Sequence, residues 1–299
     1  MSALSFLPTD ASSAALRAEA QRFPALREPL AELTAMEGVL VTLSDGCLLA
    51  RAEADEGEYA FFEPMPYRPS ADADAALDRL EVYAAREELP LVLTDLDGDA
   101  CERLSARYPL ARRYALDGER FLLYVQTELD TLGEAPTLTG ERITLCLPRE
   151  QYAEDYGRLC RDSERMRLFG YDDLADVPDA TDAQLVSRRT DEWERRAALP
   201  FLIVNTATDA LLGELVLFAF NGRGAAELSV RLLPEAEGHG YASEAIVRAR
   251  DWARDSLGLA RLVAACHPDN LPCRRMLTRL FGEGERRDGR LCFYAVSDR

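Results

Sequence analysis

Residues 237–245, EGHGYASEA, set two glycines two apart between an apolar run, AELSVRLLP, and a segment of helical periodicity, YASEAIVRARDWARDSL. A strand that enters a helix through bare glycines gathers unpaired amides and the positive end of a helix dipole at one spot. A diphosphate is the natural occupant, because side chains at 238 and 240 would stand where phosphate oxygens must approach. An isolated glycine pair is also what an ordinary turn looks like, so the surrounding sequence has to decide.

Two familiar phosphate loops do not fit. A dinucleotide fingerprint opens a parallel sheet and is answered by an acidic ribose partner after the next strand, whereas only about 60 residues follow here and RLVAAC ends without one. A nucleotide-kinase loop requires lysine, and all 35 basic residues of this chain are arginine. What remains is a diphosphate loop late in a mostly antiparallel domain.

The formal charge of −18 disfavours partners held by phosphate neutralisation, so neither nucleic acid nor an anionic membrane is expected, and a cationic amine would be attracted. The N-terminus shows no basic segment followed by a long apolar core, and no run nears the ~18 apolar residues of a membrane span, which points to a cytoplasmic protein. Seven cysteines, odd in number and dispersed, describe reduced thiols. No acid-rich cluster with ligand spacing surrounds either of the two histidines, His239 and His267, and no metal is expected.

The order of elements nearly repeats. GVLVTLSDGCLLARA reads as a hairpin turning at Asp45-Gly46, followed by the strand EYAFFEP, a helix in DADAALDRLEVYAAREE, the strand PLVLTDL, the helix DACERLSARY and a hairpin around Asp117-Gly118. TELDTLGEAPTLTGERI interrupts this pattern. Beyond it come a strand, two helices, three strands, the glycine loop with its helix, then strand, short helix and strand. The 299 residues therefore divide into domains at 1–135 and 141–299, and the similar order suggests an internal duplication.

The second half resembles the GCN5-related N-acetyltransferases (GNAT), and within them the RimJ/RimL type. That family's Q/R-x-x-G-x-G/A motif falls on Glu237, Gly238, His239, Gly240, Tyr241 and Ala242, and PDNLPCRRMLTRLFG supplies its asparagine signal with Asn270, Cys273 and Gly282. The first half is more faintly similar to the acyltransferase-like C-terminal domain of phosphatidylglycerol lysyltransferases. In it, FFEPMPYRPSADADA occupies the place of the phosphate loop without a glycine. The fold implied is α/β: two acyl-CoA N-acyltransferase-like halves, each a mixed, mostly antiparallel sheet flanked by helices, the first degenerate and without coenzyme A.

The resemblance implies an acetyl-CoA dependent N-acetyltransferase acting on a primary amine, either a protein N-terminus or a small molecule, with a homodimer as one possible assembly. The alternatives are a catalytically weak acyl-CoA-binding regulatory module and an aminoacyl-transferase. Cofactor contacts are expected from Leu232, Leu233, Gly238, His239, Gly240, Tyr241, Ala242, Ser243 and Asn270. A strand amide between Val230 and Leu233 would hold the thioester carbonyl, and a splay after that strand would admit the pantetheine arm. Glu227 is the candidate base, or else a solvated strand-end residue; Glu214, interrupting the apolar LLGELVLF, is its rival and a substrate contact. Cys273 could protonate the leaving thiolate, or simply be a small buried residue at a helix start. Phe169 and Tyr171 in RLFGYDD would wall the acceptor pocket, as that region does in the family, or belong to an ordinary loop with one core aromatic. Two departures from the family pattern stand out: Glu237 puts an anion beside the diphosphate, and Leu277 takes the position of a frequent acidic tyrosine.

Overall fold

Apolar runs cut by turn residues fold this chain into two mixed sheets, one in each of two units, Met1–Thr127 and Glu128–Arg299. The computed structural model describes residues 4, 6–8, 14–36, 38–53, 59–87, 89–116, 118–163, 168, 174, 177–287 and 289–296. Phe169 and Tyr171 lie outside the described residues.

In the first unit, the short β1 (Leu7–Pro8) pairs antiparallel with β2 (Val39–Ser44), and helices α1 (Ala14–Arg22) and α2 (Arg27–Thr34) lie between them in sequence. β2 turns into β3 (Cys47–Glu53) through Asp45 at φ 50° and Gly46 at φ 77°, the left-handed pair that a tight hairpin demands. β4 (Tyr59–Phe62) adds antiparallel to β3, and the two-residue β5 (Met65–Pro66) also pairs β3. Helix α3 (Ala73–Arg86) then crosses to β6 (Val92–Leu96), which runs parallel to β4. After α4 (Gly98–Arg107), β7 (Arg112–Ala115) and β8 (Phe121–Tyr124) close the order β1-β2-β3-β4-β6-β8-β7.

The second unit repeats this order with one added strand. Its sheet runs from the short β9 (Leu138–Thr139) through β10 (Ile143–Cys146), β11 (Ala198–Asn205), β12 (Leu211–Phe218), β13 (Ala225–Leu232), β14 (Arg261–Cys266) and β16 (Arg290–Val296) to the edge strand β15 (Glu285–Arg287). Neighbours are antiparallel except β13 and β14, as β4 and β6 are the parallel pair of the first unit. With β9 set aside, the two orders correspond strand for strand.

Helix α5 (Ala153–Cys160) and α6 (Asp182–Glu194) precede β11, α7 (Tyr241–Leu257) crosses from β13 to β14, and α8 (Leu271–Phe281) follows β14. α6 starts at a reciprocal Thr181–Gln184 capping box. On one face of the sheet, Leu228 and Leu232 of β13 pack with Ala245, Ile246, Ala249 and Ala253 of α7 and Leu277 of α8. On the other, Leu202 and Leu233 pack with Tyr156, Leu159 and Leu185 from α5 and α6. Seven of the eight residues in each of β11 and β12 are buried, as expected for strands covered on both faces.

The unit boundary falls at the first residue of the interrupting segment TELDTLGEAPTLTGERI, and Leu129, Leu132 and Ala135 pack into the second core. Glu128 is tied into the second unit, to which it belongs. Its buried carboxylate accepts from the amides of Gly222 (3.1 Å) and Gly224 (2.5 Å) in the turn joining β12 to β13.

Candidate functional site

The parallel pair β13/β14 is joined only from Ala225–Arg261 to Leu228–Ala264, although β13 runs on to Leu232 and β14 to Cys266. The two strands therefore part at their C-terminal ends. β12 fixes which β13 amides face the gap. The Leu233 amide donates to the Leu212 carbonyl at 2.8 Å, and bonded and non-bonded pairs alternate along an antiparallel ladder. Residues 229 and 231 therefore also bond toward β12, and the amides of Val230 and Leu232 point into the gap. Of the expected carbonyl-holding stretch, Val230 and Leu232 are the residues so placed.

The gap leads to the glycine loop. After Glu237 the chain passes through Gly238 at φ 78° and Gly240 at φ 82°, left-handed values that a side chain would strain. Nothing lies within 4 Å of a Cβ added at 238, so that face of the loop is open. α7 has no side-chain cap. Glu244 is the first helical residue whose amide finds its backbone partner, the Gly240 carbonyl at 3.1 Å, so the amides of Tyr241, Ala242 and Ser243 remain available to an anion.

The equivalent helix start in the first unit is closed. There Asp72 caps α3, its carboxylate accepting from the Ala75 amide at 2.9 Å, so a carboxylate already sits where an anion would bind.

The charge around the glycine loop is largely compensated. Glu244 accepts from the Arg142 amide at 2.9 Å and from its Nε at 2.8 Å, and Glu235 pairs with Arg158 at 2.7 Å. Against a desolvation that acts upward, the Arg142 bonds hold the Glu244 carboxyl below its ordinary range. Glu237 and His239 are exposed, and the His239 ring lies 5.9 Å from that of Tyr241.

Leu232, Tyr241, Ala242 and Cys273 come together in one apolar cluster beside the gap, while Leu233 turns to the opposite face and lines a cavity of about 450 Å³ with Arg158, Arg161 and Asp182. Asn270 caps α8 through its carbonyl oxygen, accepting from the Cys273 amide at 3.2 Å. That leaves its Nδ2 as a donor. The Cys273 thiol is pushed up by its hydrogen bond to the Cys266 thiol and by burial. A thiol held above the ordinary range surrenders its proton reluctantly, which makes it a poor acid for a departing thiolate. Leu277 is buried in the core.

The two candidate bases differ sharply. Glu227 lies on β13 opposite Phe218 and Val263, its side chain reaching solvent. The protein packed around its carboxyl pushes the pKa up, with Arg290 opposing. An exposed carboxylate with a raised pKa suits proton acceptance. Glu214 is 1% exposed and accepts from the Tyr156 hydroxyl at 2.6 Å and from Arg189 and Arg231 at 3.2 and 2.7 Å. Burial acts upward on this carboxyl, yet the two guanidiniums hold it below its usual range, so it is a poor proton acceptor. Arg142, Arg189 and Arg231 were not legible as site residues, because their partners lie 102, 25 and 17 residues away.

Residues 142–280 match the family described as acetyltransferase (GNAT) domain. The uncharacterized N-acetyltransferase p20 of Bacillus licheniformis is 32% identical over 151 residues, 48% of this chain and 80% of that protein. The uncharacterized N-acetyltransferase YnaD of Bacillus subtilis (strain 168) is 29% identical over 89 residues, 30% of this chain, and the match spans about half (51%) of that protein. Among solved structures, Mycobacterium smegmatis RimJ in complex with CoA-disulfide aligns over 55% of this chain and 89% of its own, with 19% identity and a TM-score of 0.47. With a relative above 30% identity matched over most of its length, the chain belongs to the GNAT family of acetyltransferases.

Proposed function

We propose that the second unit transfers an acetyl group from acetyl-coenzyme A to a primary amine. The observation that carries the proposal is the continuity of the β13/β14 gap with the uncapped glycine loop at the start of α7. A diphosphate on the amides of residues 241–243 would lay the pantetheine arm in the gap, where Val230 or Leu232 can donate to the thioester carbonyl. Bound coenzyme supplies the activated acyl group. Glu227 would take the proton of the attacking amine, and the net charge of −18 favours a cationic acceptor.

The experiment is thiol release from acetyl-CoA by the full chain with a panel of amines, compared with Gly240→Val. Wild-type turnover lost in the variant is the expected result, since valine restricts the left-handed backbone and fills the cradle. Coenzyme binding without turnover on any amine would instead identify a regulatory module.

A further inference from the structure

One side chain of the second unit touches both ends of the glycine loop. Arg142, in the turn between β9 and β10, lies 102 residues from Glu244 in sequence, yet its amide and Nε both bond the Glu244 carboxylate, at 2.9 and 2.8 Å. Its Nη1 donates to the His239 carbonyl at 2.9 Å, and its guanidinium lies 5.1 Å from the centre of the Tyr241 ring. Gly140 makes room for this arrangement, because a Cβ there would stand 2.9 Å from Glu244 Oε1. Gly140, Arg142 and Glu244 border, with Gly240 and Ser243, a cavity of about 550 Å³ beside the start of α7.

The arrangement has a cost and a consequence. A carboxylate in the first turn of a helix is favourable to the dipole, but here it shares that turn with the amides of residues 241–243 offered to a diphosphate. Left alone, Glu244 would repel the ligand. Arg142 cancels that charge, and through the His239 carbonyl it also fixes the peptide between the two left-handed glycines.

We propose that Arg142 is a positioning residue for the coenzyme diphosphate, acting by neutralising Glu244 and bracing the glycine loop rather than by touching the ligand. The inference rests on the acetyl-CoA reading above. It makes Arg142 a determinant of how strongly the coenzyme is preferred over a donor without a diphosphate.

The test compares acetyl-CoA with S-acetylpantetheine, which keeps the thioester and lacks the diphosphate, in wild type, Arg142→Gln, Glu244→Gln and the double variant. Arg142→Gln is expected to raise the KM for acetyl-CoA on the order of tenfold at low salt, from one uncompensated charge near a dianion. The rise should shrink at 1 M salt, where screening reaches only about 3 Å. The KM for S-acetylpantetheine should stay at its wild-type value, and Glu244→Gln in the Arg142→Gln background should bring the acetyl-CoA KM back toward wild type. Glu244→Gln alone should hold or lower that KM, which keeps the idea testable if Arg142→Gln folds poorly. Equal impairment with both donors would make Arg142 a merely structural brace and overturn the inference. So would a double variant as impaired as Arg142→Gln, which would mean that the guanidinium contacts the diphosphate itself. A wild type that turns over neither donor overturns the acetyl-CoA reading, and the inference with it.

Discussion

Glu214 and Arg231 face each other across β12 and β13 with their charged groups 2.7 Å apart and their side chains 1% and 3% exposed. Arg189 of α6 and Tyr156 of α5 complete the network, so a single carboxylate of β12 ties both helices to β13, the strand that borders the β13/β14 gap. Arg189 is in turn paired with Glu192 at 2.8 Å. Partners on every side make this a structural ion, and its removal would leave two guanidiniums buried without it.

Glu214→Ala is therefore expected to destabilise the second unit by about 3–5 kcal/mol. Both tryptophans, Trp193 and Trp252, lie in that unit, so selectively excited tryptophan fluorescence during urea unfolding reports on it. Because the folded carboxyl is held below its ordinary value of 4.5, the stabilisation is present above that pH and fades as pH falls through the folded value. A variant with the wild-type midpoint at pH 7 would show that water satisfies the arginines and that the network contributes little.

The two helix starts lead to a second expectation. Asp72 caps α3 with its own carboxylate, whereas α7 begins at Gly240 with no side-chain cap. Calorimetric titration of the full chain with coenzyme A should give one site per chain, not two. Asp72→Ala should cost about 1 kcal/mol of first-unit stability through the lost cap, and it should leave the stoichiometry at one. Two sites in wild type would show that the first unit binds coenzyme after all.

Much of this was legible in sequence because the signals are local. Gly238 and Gly240 lie in the loop that opens a helix, as their spacing implies, Asp45-Gly46 turns the hairpin, and of the apolar residues at helical spacing in α7, Ala245, Ile246, Ala249 and Ala253 are buried while Trp252 is half-buried. Glu214 was legible only as an oddity, a charge inside an apolar strand. Its partners come from α5, α6 and β13, and only the fold brings them together. Arg142 gave no signal at all, since an arginine at the head of an apolar strand looks solvated until a loop 97 residues later arrives beside it. Local spacing reports what a backbone can do, and charge pairing across a sheet depends on register, which single-sequence periodicity does not supply.

The last expectation concerns the base. The protein around Glu227 raises its pKa, so the carboxyl gains its charge at a higher pH than an ordinary glutamate. A base must be deprotonated to act, so turnover should fall on acidification through that raised value, giving an acidic limb in kcat. Glu227→Gln keeps the shape of the side chain and removes the titration. It should lower kcat by about 100 to 10,000-fold and abolish the acidic limb, while coenzyme affinity stays at the wild-type value. The stability sign runs the other way: a raised folded pKa stabilises below the ordinary value of 4.5 and loses that contribution as pH rises through the folded one. The neutral variant should therefore melt no lower than wild type at pH 7, so that a lost rate cannot be blamed on unfolding. An unchanged kcat would move the proton to water or to an amine that arrives already neutral, and an acidic limb that survives the substitution would belong to the acceptor rather than to Glu227.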